Sequence, residues 1–577
     1  MHYLLVFIAL FLFSIFPGIL LMPKLSGYMS NVNRCITIVF SSLSFWIILP
    51  WFVFAVHGNL YYASLFSLIF CAIIGIFYIL KKIGKIQFTK RSLRHLKEFG
   101  ALWLLLLFLL PLVNMLLPPG NDTAMHGYIS RLIINNHGLP SNYLPLLPIQ
   151  EFGSYSAGYQ TLAAYFSFFD PKFLVEAINL STVIVYVFFG LSLAALLSLF
   201  IKEQMAYLTA VFSMLISKVP QGSFGWGGNS TVLAFAFIFI AVFLFIMAYR
   251  KKSSGLYGLT AFPLAAIPLT HAIPAVGLFY MAPLLFILIF FLKSTNKLLL
   301  MRGMLITVSI TIFFLLPFIL LFDDPTNIEL LERIKEWQKD YGPEHREFWW
   351  QDILETLKYI QYKLSDTLFF ATLAVFVFLL FRQRFFVIRW NLILIVIIFL
   401  LIHNTHSWWL PFSHLLYPDR LVFFFLFPVA YLLGEFSQLK FINRKYWQLT
   451  RFVLLLYFIT IAPIQFWKYY LKQNKINALF QSSLEAIEWL DKEISMEAQI
   501  EVTYGDVGIW IPTLINRATI NTHVHFIHLG IFDKMKAMDV PHYYYITQKD
   551  RENNTEIFKK TTILNRVYKN EAIEIYK

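Results

Sequence analysis

Residues 155–169 read Tyr155-Ser156-Ala157-Gly158-Tyr159-Gln160-Thr161-Leu162-Ala163-Ala164-Tyr165-Phe166-Ser167-Phe168-Phe169, and their placement decides the topology of the whole chain. The run is apolar enough to suggest a membrane crossing, yet it is short and is interrupted by Gly158 and Gln160. A crossing takes roughly 17–25 residues, and apolar segments of about 10–14 are ambiguous. Counted as a crossing, it would put every later basic block on the outer side. Read as a helix lying at, or half buried in, the outer surface, it leaves all basic blocks on one side, as positive-inside statistics require. A short buried core helix is the alternative reading.

The rest of the chain supplies the context for that choice. Hydrophobic residues make up 58% of the 577 positions and charged ones 14%, far from a soluble composition. Apolar runs long enough to cross a bilayer recur from residue 3 to about residue 468. The predicted fold is therefore a polytopic α-helical membrane protein with a small C-terminal α/β domain. The formal charge of +14 does not point to nucleic acid. Lys and Arg fall in short blocks between the apolar runs, which is the pattern of cytoplasmic loops. The strongest block, 81–97, contains Lys81, Lys82, Lys85, Lys90, Arg91, Arg94 and Lys97 and no acid. Spans are expected near 3–22, 35–57, 60–80, 99–118, 173–201, 205–219, 229–249, 256–270, 273–292, 298–322, 366–381, 389–403, 420–437 and 452–468. That makes about 14 crossings, with the first run an uncleaved anchor. Residues 1–469 form the membrane domain. Its outer face carries the loops 118–172 and 323–365, a Gly-rich turn at 220–228 and a turn at 403–419. Residues 470–577 form the extracytoplasmic domain, with a helix at 482–494 (SSLEAIEWLDKEI) and strands at 499–504, 518–522, 543–547 and 572–576. The chain is placed in the cell membrane, with its chemistry and its C-terminal domain on the extracytoplasmic side.

The outer pieces hold most of the residues suited to chemistry. In Pro118-Pro119-Gly120-Asn121-Asp122-Thr123-Ala124-Met125-His126, an acid and a histidine stand at i and i+4 and share a face if the segment is helical. Asn121 or Asp122 is also a good helix cap after Pro119-Gly120. The functional reading of Asp122 is a general base, since a carboxylate beside low-dielectric lipid tends toward a raised pKa. His271 ends a span on the outer side, and His403, His406 and His414 lie in or beside the 403–419 turn. Interfacial anchoring is the plainer reading of each, and their scatter makes no zinc motif. Arg420, in Tyr417-Pro418-Asp419-Arg420, opens a span from the outer side. An arginine there suits bidentate phosphate binding; the alternative is a snorkelling side chain paired with Asp419. Asp323-Asp324 either caps the following helix or holds Mg²⁺ or Mn²⁺, the one candidate cofactor. Glu151 is a further outer carboxylate, and Trp337, Trp349 and Trp350 suit stacking on sugar rings or interfacial anchoring. The 220–228 glycines lack phosphate-loop spacing and read as a tight turn.

These pieces resemble the GT-C superfamily of integral-membrane glycosyltransferases, in particular its uncharacterised bacterial and archaeal members. The likeness rests on Asp122 and His126 followed by Gly138-Leu139-Pro140, on Tyr155 to Gly158, and on Pro418-Asp419-Arg420. The run Gly505-Asp506-Val507-Gly508-Ile509-Trp510-Ile511-Pro512 in the tail adds to it. The resemblance implies a sugar donor on a polyprenyl phosphate. It makes Asp122 the catalytic base and Arg420 the ligand of the donor phosphate. Asp419, His126, His271 and Glu151 become substrate-binding candidates. The acceptor would be a glycan, lipid or protein at the membrane surface. The sequence departs from the family pattern in that three spans precede the usual first one and Asp323-Asp324 is not an Asp-x-Asp motif. A transporter, or a flippase or polymerase of lipid-linked glycans, is the alternative class. Transporters place ionisable groups near the bilayer midplane, whereas here they gather at the outer mouth.

Overall fold

The computed structural model describes residues 2–21, 25, 27–83, 117–118, 120–143, 156–290, 296–322, 350–403, 418–438, 481–522, 531–536 and 539–577. Among these, seven helices are long and apolar enough to cross a membrane. An eighth arises if Ile353–Leu364 and Asp366–Phe381, bent by 108°, are taken as one span. Leu60–Gly75, Ser254–Thr270 and Ala272–Leu284 are shorter apolar helices. The chain is thus a polytopic helical membrane protein. Most of the span expected near 99–118, the one near 452–468 and the 469/470 domain boundary lie outside the described residues.

The bundle has a lipid-facing surface. Phe66 and Leu305 are each 70% exposed and Phe386 is 73% exposed, on helices whose other faces are buried. Large apolar side chains turned outward in such numbers need hydrocarbon around them. Polar residues inside the bundle are satisfied locally. In Asn31–Ala55 the hydroxyls of Thr37, Ser41, Ser42 and Ser44 all donate to carbonyls one turn back.

Gly158–Phe166 forms a nine-residue helix, and every one of its residues is buried. It neither crosses the membrane nor lies half out at the surface; the short buried core helix is what the chain builds. The two residues that interrupt its apolar pattern explain why. Gln160 is fully buried because its side-chain amide has a partner at His126. Gly158 permits close packing, since a Cβ there would come within 2.9 Å of the Leu269 carbonyl oxygen and 2.8 Å of Thr270 Oγ1. Ser156 then donates to the Pro268 carbonyl at 2.7 Å, tying the segment to the end of Ser254–Thr270.

The tail carries a five-stranded sheet in the order β2-β1-β3-β5-β4. β1 (Gln499–Glu501) runs parallel to β2 (Thr519–Ile520) and β3 (His542–Thr547). β5 (Ile573–Tyr576) runs antiparallel to β3 and to β4 (Arg566–Lys569). The expected helix is present as Gln481–Glu493. The strand not anticipated is β4, whose mostly exposed, charged sequence gives no alternating pattern. The tail packs its apolar side on the membrane bundle: Leu117, Ala124, Leu174 and Ile178 share one core with Ile487, Leu490, Trp510 and Ile511.

Asp550, 1% exposed, is the polar keystone of this domain. It accepts hydrogen bonds from Thr503 Oγ1 at 2.6 Å, from Thr547 N at 3.0 Å and Oγ1 at 2.9 Å, and from Thr555 Oγ1 at 3.1 Å. Asp550→Ala removes the acceptor of these donors, leaving Thr547 Oγ1 with Asp506 alone, and removes a capping box. The expected cost is about 2–4 kcal/mol, measured as lost protection of the tail against limited proteolysis. Wild-type protection in the variant would contradict this account.

Candidate active site

Asn121–Asn135 is a helix, but neither of the residues suited to cap it does so. The cap is Gly120, at φ 98° and without a side-chain bond, so Asn121 and Asp122 are the first two helical residues. Asp122 is therefore half-buried in the first turn, where unpaired N–H groups favour a negative side chain.

The Gly-rich segment is what holds this turn in place. Instead of the tight turn expected over 220–228, Ser217 caps a helix, Lys218–Trp226, with Pro220 tolerated in its first turn. Gly227, at φ 94°, ends it in the left-handed conformation. A Cβ on Gly227 would lie 2.4 Å from Thr123 N, and one on Gly120 would lie 2.3 Å from Gly227 N. The two glycine backbones are thus in direct contact, and only glycine fits at either position.

His126 is buried, and protein atoms engage both of its ring nitrogens. Nε2 donates to the Gly227 carbonyl at 3.1 Å, and Gln160 Nε2 donates to Nδ1 at 2.7 Å. That fixes one neutral tautomer. The expectation that His126 contacts substrate therefore meets a ring that joins the Asp122 helix, the Gly227 turn and the buried 158–166 helix. Behind it, Tyr159 OH lies 3.0 Å from Ser181 Oγ and 3.2 Å from Thr182 Oγ1, and Asn229 Nδ2 donates to Tyr159 OH and to Thr182 Oγ1.

His271 occupies the break between Ser254–Thr270 and Ala272–Phe290. The Ile273 amide donates to its Nδ1 at 3.2 Å, which leaves the proton on Nε2. Burial pushes its pKa down to about 3; Arg420 and then His126 push the same way, against an opposing pull from Asp122. One imidazole thus feels residues from two other segments of the chain. Folded His271 stays neutral through the physiological range. The unfolded chain takes up a proton first as pH falls below about 6.5, so this group's stabilising contribution declines between about pH 6.5 and 3. His271→Gln should flatten that acid-side decline by on the order of a few kcal/mol, read from thermal unfolding midpoints across pH. Parallel curves for variant and wild type would refute it.

Arg420 sits in the short helix Pro418–Leu421, with its guanidinium carbon 3.7 Å from the centre of the Trp226 ring. Stacking fixes the plane of the guanidinium, as planar recognition of a phosphate requires. Asp419 pairs with Lys363 at 2.6 Å and accepts a hydrogen bond from Tyr359, both on the helix Trp350–Leu364. The amphipathic first member of the bent pair is thereby fastened beside Arg420. His403 shares a 3.1 Å hydrogen bond with Thr356. Glu151, Asp323, Asp324, His406, His414, Trp337 and Trp349 lie outside the described residues. Among the described residues no group of three or more His, Cys, Asp or Glu side chains is placed to hold a metal ion.

The tail supplies a residue that the motifs do not flag. Tyr504 hydrogen-bonds Asn121; burial first, and then the Asp122 charge, raise its pKa. Next to it Gly505, at φ 86°, lies against the Asn121 side chain. The signal for Tyr504 is positional: β1 ends at Glu501, so the tyrosine falls in the loop at the carboxyl end of a parallel strand. Farther along, Arg131 donates twice to the Thr513 carbonyl, at 3.1 and 2.9 Å, and Asn135 Nδ2 donates to Asn516 Oδ1 at 2.7 Å. Gly127 has no room for a Cβ against Thr513.

An apolar helical bundle thus carries an acid on the first turn of a helix at its end, with a small sheet domain docked on that helix. Among solved structures, the chain is similar to the archaeal oligosaccharyltransferase AglB from Archaeoglobus fulgidus in complex with an inhibitory peptide and a dolichol-phosphate. The TM-score is 0.51 at 10% identity, covering 79% of this chain and 70% of that one. A second structure, the Archaeoglobus fulgidus oligosaccharyltransferase tethered to an acceptor peptide, gives 0.45 at 11% identity over 78% and 69%. No family model matches the sequence, and no curated protein does.

Proposed function

We propose that the protein is a membrane glycosyltransferase that moves a sugar from a polyprenyl-phosphate donor to an acceptor on the extracytoplasmic face. About 14 crossings would keep that face and the 470–577 domain outside. The observation that carries the reading is the single imidazole of His271, set in a helix break and felt at once by Asp122 and His126 from one helix and by Arg420 from another. These groups stand at helix starts and a helix break, which favours chemistry at the mouth of the bundle over transport through it. The likeness to the archaeal oligosaccharyltransferase supports the same class.

In this mechanism the Asp122 carboxylate takes the proton of the acceptor as the acceptor attacks the anomeric carbon. The bond from that carbon to the phosphate oxygen breaks, and the phosphate leaves with the electron pair. Arg420, its plane set by Trp226, meets the growing negative charge. His271, being neutral, adds a hydrogen bond from Nε2 and no charge. His126 positions the Asp122 helix. Asp323 and Asp324 remain the proposed ligands of Mg²⁺ or Mn²⁺, which would supply charge neutralisation at the phosphate, with Glu151 a substrate contact.

The test is consumption of a radiolabelled polyprenyl-phosphate sugar by membranes containing the protein. Arg420→Lys keeps the charge and loses both the stack and the planar fork, so turnover should fall roughly 100-fold or more. Wild-type membranes that consume no such donor would remove the proposed activity.

A further inference from the structure

We propose that a crevice in the tail domain is a binding site for a neutral carbohydrate, which there serves as the acceptor of the transfer; the acceptor role rests on the function proposed above. The crevice has a volume of about 880 Å³, within the roughly 300–1,000 Å³ usual for ligand sites. Its position follows from the topology. From β1 the chain passes to β2 on one side, while β3 lies on the other side, parallel to β1. In open α/β sheets ligands bind outside the carboxyl ends of strands where the winding reverses in this way. Asp506 and Val507, which follow β1, and Thr547 and Gln548, at the end of β3, line the cavity.

The lining selects the chemistry of the occupant. Glu485, Asp506, Glu552 and Glu571 contribute carboxylates against the one ammonium group of Lys549. Such a surface repels phosphate, so the lipid-linked donor does not fit it. Carboxylates and amides are good partners for many hydroxyls at once, because a carboxylate accepts through both oxygens and an amide both donates and accepts. The floor is rigid. Asp506, 8% exposed, is held by Thr547 Oγ1 and by the Val507 amide, the latter at 2.7 Å. The rim is adaptable: Gln548 donates to Glu552 at 2.7 Å, both exposed. An extended peptide would meet strand ends and a connecting turn here rather than a strand edge that could extend a backbone ladder. One short loop serves both places, since Tyr504 reaches Asn121 beside Asp122 while Asp506, two residues on, faces the crevice. This loop therefore links the crevice to the helix that carries the proposed base.

The experiment uses the full-length protein in nanodiscs, with saturation-transfer NMR and calorimetry on maltotriose, cellotriose, mannotriose and chitotriose. At least one should bind the wild type and bind Asp122→Asn equally well. The exposed pair Glu485→Lys/Glu552→Lys should weaken that binding at least tenfold without lowering the unfolding midpoint. Binding of none of the four, unchanged binding by the Lys pair, or a preference for trilysine over every sugar would each overturn the proposal. The two readings fail separately. Turnover of lipid-linked sugar without oligosaccharide binding would sink the crevice and leave the enzyme. Binding without turnover of any donor would leave a carbohydrate site and remove the transferase.

Discussion

Asp122→Asn should lower turnover of a lipid-linked sugar by about 10²–10⁴-fold while leaving the fold intact. The asparagine is nearly isosteric, and no capping bond is lost, because Gly120 caps the helix without a side chain. What disappears is the only oxygen pair at that position able to take a proton from the acceptor. The effect belongs in kcat more than in KM, since proton removal is completed in the transition state. A structural role predicts the reverse pattern, a lowered unfolding midpoint with normal specific activity in the surviving fraction. Equal turnover in membranes of matched expression would take Asp122 out of the mechanism.

Gly227→Ala should have the largest effect on the integrity of the site, although it adds one methyl group and removes no polar atom. The methyl would stand 2.4 Å from Thr123 N and 2.6 Å from Thr123 Oγ1, on a residue at φ 94°. Backbone strain of about 1–3 kcal/mol and overpacking of about 1–3 kcal/mol both act in one direction. Relief requires the turn to pull away from the Asp122 helix, which also breaks the 3.1 Å bond between His126 and the Gly227 carbonyl. The expected outcome is a large drop in the unfolding midpoint in detergent, with activity lost in parallel. Gly138→Ala is the control, because a Cβ there meets nothing closer than 3.9 Å. Similar midpoints for the two variants would mean that the contact between the Gly120 and Gly227 backbones is unimportant.

These two glycines show what the sequence could and could not reveal. The helices are legible because hydropathy is a local property: the spans expected at 298–322 and 366–381 match Lys297–Phe322 and Asp366–Phe381 to within a residue. Asp122, His271 and Arg420 are legible as chemically odd residues at the ends of apolar runs. Their meeting is not, since it depends on tertiary packing between segments about 150 to 300 positions apart. Gln160 makes the point most clearly. In sequence it looks like a defect in an apolar run, yet in space it is the hydrogen-bond donor that sets the His126 tautomer. Tyr504 was hidden for a related reason: nothing local marks a tyrosine that leaves a strand and crosses to another domain.

The docking of the tail on the Asp122 helix also bears on the order of events during synthesis. Arg131 finds its acceptor on Thr513, 382 residues later, and Asn135 finds Asn516 381 residues later. At roughly 5–20 residues per second, these partners emerge some 20–80 s after the helix itself. Throughout that interval Gly127 faces an empty groove and Asn121 lacks its tyrosine. A newly made chain would therefore sit in the bilayer with the Asp122 helix uncovered, and its packing would be completed only when translation of the tail had caught up.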